Sequence, residues 1–270
     1  MLIQRIITAV ILAVVVGLAL FKASADFWQG GVLLVSLIAA WEWAGFAKVK
    51  SLWLKGAFSI LTMVIVYFGL SVFFVEHLAV LTIVESLLIL YVVLQYQRSE
   101  GLSGPTSPLG ILLAGMLSII LFCIVLIRFR EEFSPELLLL SMFVIWAIDT
   151  GAYFSGRRFG KTKLAVYVSP GKTWEGVWGG TLLSFIIGLV GIYLISPSLN
   201  MSAVLFAALL AFIALFSVLG DLFESVLKRQ AGLKDSGRIL PGHGGVLDRV
   251  DSLLIAIPML YLLWSFGSSV

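Results

Sequence analysis

The sequence predicts an all-α polytopic membrane protein of about nine transmembrane helices, with its active site at the cytoplasmic membrane surface. Two observations predict the class. Mean hydropathy is +1.09, with 60% hydrophobic and only 12% charged residues. That apolar content is gathered into runs of about 20 residues, the length needed to cross a hydrocarbon layer of about 30 Å. Helices follow because the bilayer core has no water to satisfy an open backbone. A third observation, the placement of the basic residues, gives the orientation.

The spans run Ile6 to Phe21, Phe27 to Phe46, Leu54 to Val75, Leu78 to Leu94, Leu109 to Ile127, Leu137 to Phe154, Val177 to Ile195, Met201 to Leu227 and Leu253 to Phe266. The first follows Arg5 and ends before Ala23-Ser24-Ala25, which resembles a signal peptide and its cleavage site. We read it as a retained helix, because its apolar stretch is long for a signal and a second span follows at once. The eighth is long enough to tilt or project, and the ninth is short and can begin near Asp248. Residues 1–130 form an N-terminal transmembrane region of about five spans. Residues 131–270 form a catalytic region of about four.

Fifteen of the 18 Lys and Arg residues fall at the N-terminus or in every second loop. They are Arg5; Lys48, Lys50 and Lys55; Arg98; Arg157, Arg158, Lys161, Lys163 and Lys172; and Lys228, Arg229, Lys234, Arg238 and Arg249. Only Lys22, Arg128 and Arg130 fall opposite. Because basic loops stay inside, the N-terminus is expected in the cytoplasm and the C-terminus outside. The single cysteine, Cys123, lies in an apolar run and excludes an intramolecular disulfide.

The acids then share one depth. Asp149, Asp221 and Glu224 fall near cytoplasmic ends of spans six and eight, and Asp248 and Asp251 open span nine. Glu42 and Glu175 also lie at cytoplasmic ends, with no role that the sequence assigns. Acids beside membrane spans are costly and are functional candidates. Asp221 and Glu224, like Asp248 and Asp251, are three apart and share a helix face. Such oxygens suit Mg²⁺. Between the pairs runs the most polar tract of the chain, with Lys228, Arg229, Lys234 and Arg238 as phosphate-binding candidates. Its segment Pro241-Gly-His-Gly-Gly245 reads as an anion-binding turn in which Gly244 and Gly245 offer N–H groups. His243 could donate to a phosphate or act as acid or base. Upstream, Ser169-Pro-Gly-Lys-Thr-Trp-Glu-Gly176 would place Lys172 and Thr173 at a helix N-terminus suited to phosphate. Two near matches to a P-loop fail, since Ser155 and Val166 stand where glycine is required and no strand precedes.

Together these residues resemble the phosphatidate cytidylyltransferase, or CDP-diacylglycerol synthase, family. The family signature is met by Ser225, Lys228-Arg229, Lys234-Asp235, Pro241 to Gly245 and Asp248-Arg249-Val250-Asp251. Asp149 to Ala152, Phe159 to Lys161 and Ser169 to Gly176 carry its upstream patterns. The match covers the C-terminal half, and the first half resembles the family only in being hydrophobic. The resemblance implies that CTP and phosphatidic acid give CDP-diacylglycerol and pyrophosphate, as a step of phospholipid biosynthesis. It also implies Mg²⁺, a homodimer among membrane lipids, and room for a monovalent cation such as K⁺. It implies no nucleic acid partner. Asp221, Asp248 and Asp251 are expected to bind metal, with Asp149 as a fourth. Lys172 and His243 are expected at the catalytic centre. The short extramembrane segments fit a bacterial plasma (inner) membrane. The alternatives are a CTP-dependent lipid or polyprenol kinase, which would leave CDP, and an ion-coupled transporter. A transporter would spread its acids through the membrane depth, where only Glu85 lies, and the chain shows no internal repeat.

Overall fold

The computed structural model describes residues 2–195 and 197–268, with side chains from residue 6 onward inside the first helix. The side chain of Arg5, counted above among the basic residues, lies outside this set, as do the last two residues. The described chain is α1 (Leu2–Lys22), α2 (Ala25–Phe46), α3 (Leu52–Val72), α4 (Val75–Arg98), α5 (Pro108–Glu132), α6 (Pro135–Phe159), β1 (Lys163–Ala165), β2 (Ser169–Thr173), α7 (Trp174–Ile195), α8 (Ala203–Ala231) and α9 (Leu247–Gly267). Eight of the helices, α2 to α9, are long and apolar enough to cross a membrane. The apolar part of α1, Ile6–Lys22, is shorter. The protein is an integral membrane protein of helical class, and the one sheet among the described residues is the β1–β2 hairpin.

The helix bounds refine the expected spans. α6 continues ten residues past Asp149, and α8 ten residues past Asp221. Both acids therefore sit about 15 Å of helix rise from the helix end rather than at it. The ninth helix opens at Leu247, which brings Asp248 into its first turn. Ser24 of the Ala-Ser-Ala triplet caps α2, its hydroxyl accepting from Phe27 N at 3.3 Å.

Two compact units make up the chain. The first comprises Met1–Phe74, Pro105–Pro135 and Leu227–Asp251. The second comprises Val75–Gly104, Glu136–Val226 and Ser252–Val270.

In the first unit, α5 packs against α2 and α3. Indole N–H groups fasten α2 to α5 near both ends. Trp43 Nε1 donates to Ile111 O at 2.8 Å, and Trp28 Nε1 to Leu126 O at 3.3 Å. Gly115 leaves the room that Trp43 fills, since a Cβ there would strike the indole. The end of α5 turns its arginines to carbonyls that helix ends leave without partners. Arg128 donates to Leu70 O at 2.7 Å, and Arg130 to Leu20 O at 2.8 Å and to Ala23 O.

In the second unit, α6 and α7 approach through small residues. Gly176, Gly180, Ser184 and Gly188 recur every fourth residue of α7 and are buried. A Cβ at Gly180 would meet the carbonyl of Ile148. Ser184 Oγ donates to Val144 O at 2.9 Å. Close approach of backbones over small residues is how helices gain packing where lipid offers no hydrophobic drive. Trp264 Nε1 on α9 donates to Ser141 Oγ on α6 at 3.1 Å.

Candidate active site

The predicted residues fall into two clusters, one in each unit.

In the second unit, the buried stripe of α8 runs through Ala207, Leu210, Ala214 and Ser217. Continuing that three- and four-residue spacing puts Asp221 and the buried Glu224 on the same side. Asp221 Oδ2 meets Lys172 Nζ at 2.5 Å, with both side chains about a quarter to a third exposed. Its Oδ1 takes a long contact of 3.4 Å from Ser225 Oγ. Asp149 of α6 lies within electrostatic reach of both Lys172 and Asp221, and accepts from the Ser252 hydroxyl. Two carboxylates thus share one ammonium. Of the pair Asp221 and Glu224, only Asp221 is presented at this cluster's surface; Glu224 is 1% exposed.

Lys172 is held by the elements around it. It is the fourth residue of β2, whose register with β1 pairs Lys163 with Thr173 and Ala165 with Ser169. Thr173, expected to meet phosphate, has a structural task in this structure. It is 7% exposed and its Oγ1 accepts from Gly176 N at 3.2 Å, capping α7. Glu175, which had no role in the sequence, accepts from Lys161 N and Thr162 N at 3.1 Å each. It ties the end of α6 to the start of α7 and so fixes the hairpin that carries Lys172.

In the first unit, the polar tract is organised by two carboxylates of the chain itself. Asp248 Oδ1 accepts from Lys228 Nζ at 2.9 Å. Its Oδ2 accepts from Gly245 N at 2.8 Å and from Ser236 N at 2.9 Å. Ser236 Oγ lies 3.0 Å from that oxygen and 3.2 Å from Glu42 Oε2, so one hydroxyl serves two acids. Glu42, 4% exposed, accepts from Val246 N at 3.1 Å and Leu247 N at 2.9 Å. These are N–H groups that the start of α9 would otherwise leave without partners, and a carboxylate there also suits the helix dipole. A Cβ at Gly245 would collide with Ser236 Oγ and the Glu42 carboxylate, and one at Gly237 with Glu42. Those glycines are required by the acid they enclose.

The turn expected to meet a substrate phosphate through Gly244 and Gly245 holds a carboxylate of the chain through Gly245. The anion that the turn holds is internal. Gly245 N is committed to Asp248, and His243 N to Leu240 O at 2.9 Å. Gly244 contributes its φ of +85° and a carbonyl that accepts from Leu240 N at 2.9 Å. Lys228 is likewise committed to Asp248, while Arg229, Lys234 and Arg238 are exposed. His243 is half-buried, and its Nδ1 has no hydrogen-bond partner among the described residues. Asp251 stands one turn beyond Asp248 and is half-buried. Among the described residues, no three acid, histidine or cysteine side chains converge in the manner of a closed metal cage.

A sequence profile of the cytidylyltransferase family matches residues 3–266. The chain belongs to that family. Membership extends over the N-terminal half, where sequence motifs had given no sign of it. A Haemophilus influenzae protein named phosphatidate cytidylyltransferase is 36% identical over 289 aligned positions, covering 98% of this chain and 99% of the relative. One of the same name from Pseudomonas aeruginosa is 39% identical over 275, covering 99% and 98%. A Staphylococcus aureus protein so named reaches 46% over 126 positions, about half of each chain. Motif spacing gave no part to Glu42 or Ser236, which hold the polar tract of this cytidylyltransferase in shape. The only signal for Glu42 was an acid flanked by Trp41 and Trp43 in an apolar span.

Proposed function

We propose that the protein transfers the cytidylyl group of CTP to the phosphate of phosphatidate, giving CDP-diacylglycerol and pyrophosphate. The observation that carries this reading is kinship along almost the whole length, on both sides, with proteins named phosphatidate cytidylyltransferase. In this reaction a phosphate oxygen of the lipid bonds to the α-phosphorus of CTP. The bond from that phosphorus to the β-phosphate oxygen breaks, and its electron pair leaves with pyrophosphate. A phosphate monoester is largely dianionic near neutral pH, its second pKa being about 6. A strong general base is therefore not needed. The barrier lies in bringing two anions together, which fixed positive charge lowers.

The residues present divide that work. Lys172, held on the hairpin against Asp221, offers an ammonium to a phosphate. Arg229, Lys234 and Arg238 are exposed cations of the polar tract. Lys228, Asp248, Ser236 and Glu42 hold the tract in shape. Mg²⁺ fits the second unit's cluster, because Mg²⁺ is held by one or two carboxylates and otherwise by water and substrate phosphate. Asp149 and Asp221 would hold it, where Lys172 already shows that positive charge is stable. When bound, the ion neutralises charge on the phosphates of the nucleotide. Asp248 is tied to the chain at both oxygens, by Lys228 at one and by Gly245 and Ser236 at the other.

Product analysis tests the reaction. Purified protein with CTP and phosphatidate is expected to release pyrophosphate in a manner abolished by chelation and restored by Mg²⁺. Release of CDP instead would assign the chain to lipid kinases. We also place the protein in a bacterial inner membrane with its N-terminus and catalytic residues cytoplasmic, on the strength of the basic-residue bias. Thiol labelling of single-cysteine variants in a Cys123→Ala background checks this. Residue 163 should react from the cytoplasmic side and residue 22 from the other; the reverse pattern refutes the orientation.

A further inference from the structure

The first unit contains a cavity of about 790 Å³ where the turn between α2 and α3 faces the segment that follows α8. Its wall carries five cations, Lys48, Lys50, Lys55, Lys234 and Arg238, against two carboxylates, Glu42 and Asp235. Glu42 is turned to the start of α9 by the three donors described above. Lys234 and Arg238 belong to the polar tract. Lys48, Lys50 and Lys55 come from the N-terminal half, outside that tract.

Two of these lysines are placed at a cost. Lys48 has φ of +55°. It sits where α2 ends in a Schellman turn, with Lys48 N donating to Gly45 O at 3.0 Å and Val49 N to Ala44 O at 3.1 Å. That position favours glycine, because a Cβ is strained in the left-handed region. Lys55 lies in the first turn and a half of α3, beside the positive end of the helix dipole, where a cation is disfavoured. Its ammonium is 5.8 Å from the centre of the Trp41 ring, which lines the same cavity. Marking the membrane boundary requires neither placement. Holding several positive charges around one concave space does account for both.

We propose that this cavity binds a polyphosphate ester, with Lys48, Lys50 and Lys55 completing a cationic wall begun by Lys234 and Arg238. Five cations exceed what one phosphate monoester needs, whereas a triphosphate carries charge along a chain that several side chains can meet. Identifying the occupant as CTP rests on the proposed function. The existence of a polyphosphate site does not.

The test uses the full chain in nanodiscs, and inorganic tripolyphosphate as the probe, by calorimetric titration. The variant K48A/K50A/K55A is expected to bind tripolyphosphate at least about tenfold more weakly, since it loses three charge-assisted contacts. The salt dependence of binding should flatten in parallel. The variant K48R/K50R/K55R keeps the charge and should bind near the native level, which separates loss of charge from loss of fold. In turnover, the alanine variant should raise KM for CTP and leave KM for phosphatidate unchanged. Unchanged tripolyphosphate binding overturns the proposal. So does a raised KM for phosphatidate alone, which would make the cavity a lipid-headgroup site. Weakened tripolyphosphate binding in a protein that releases no pyrophosphate would keep the site and refute the proposed reaction.

Discussion

Lys172→Ala is expected to lower pyrophosphate release by about 10²–10³, the range seen when a preorganised electrostatic donor is removed from a reacting centre. Asp149 and Asp221 are like charges within mutual reach, and Lys172 at 2.5 Å from Asp221 is the ammonium they share. Without it the two carboxylates repel, and the phosphate loses a cation that a buried threonine and a pinned hairpin had positioned. Lys172→Arg should recover only part of the rate. A guanidinium keeps the charge, but its planar fork cannot reproduce the point contact of an ammonium.

Activity loss alone would not separate chemistry from folding, so the compensated variant Lys172→Met with Asp221→Asn is the decisive companion. It removes one charge of each sign and leaves Asp149 without a crowded neighbour. Its thermal midpoint should stay near the native value while its rate stays low. Native-like pyrophosphate release from Lys172→Ala, or from the compensated pair, would remove this cluster from the reaction.

The membrane class and the helix order were legible in the sequence because hydrophobic length is a property of each segment alone. The charged motifs were legible as well, since Asp221, Asp248 and Lys172 stand at fixed short spacings. What those motifs do was less legible, for a physical reason. A loop rich in glycine and N–H groups is suited to any anion, and spacing does not say which. Here the anions are Asp248, three residues beyond Gly245, and Glu42, more than 200 residues away. The sequence places Glu42 near a helix end but gives no trace of the long-range contact. Thr173 illustrates the same limit. A threonine beside a lysine at a helix start can meet phosphate or cap the helix, and here it is buried and caps α7. The make-up of the compact units is not legible in sequence order, because each draws on segments far apart in the chain.

Glu42→Ala should have the largest effect on stability of any single change in the polar tract. It strips the acceptors from Val246 N, just before α9, from Leu247 N, its first residue, and from the shared Ser236 hydroxyl. A buried donor left without its acceptor costs about 1–3 kcal/mol. Two or three together cost on the order of 3–6 kcal/mol if they remain buried. The turn has a cheaper response, which is to open and hydrate, and that would release Gly245 and Ser236 from Asp248. The expected result is therefore a lower thermal midpoint together with new proteolytic cleavage between residues 232 and 246. Glu42→Gln separates charge from shape. Its amide oxygen can still accept from one N–H, but its NH₂ group then faces a second donor, so an intermediate midpoint is expected. Gly237→Ala and Gly245→Ala, which would press a Cβ into the Glu42 carboxylate, should open the same turn from the other side. If Glu42→Ala keeps both the native midpoint and native protection of residues 232–246, the acid does not organise the tract.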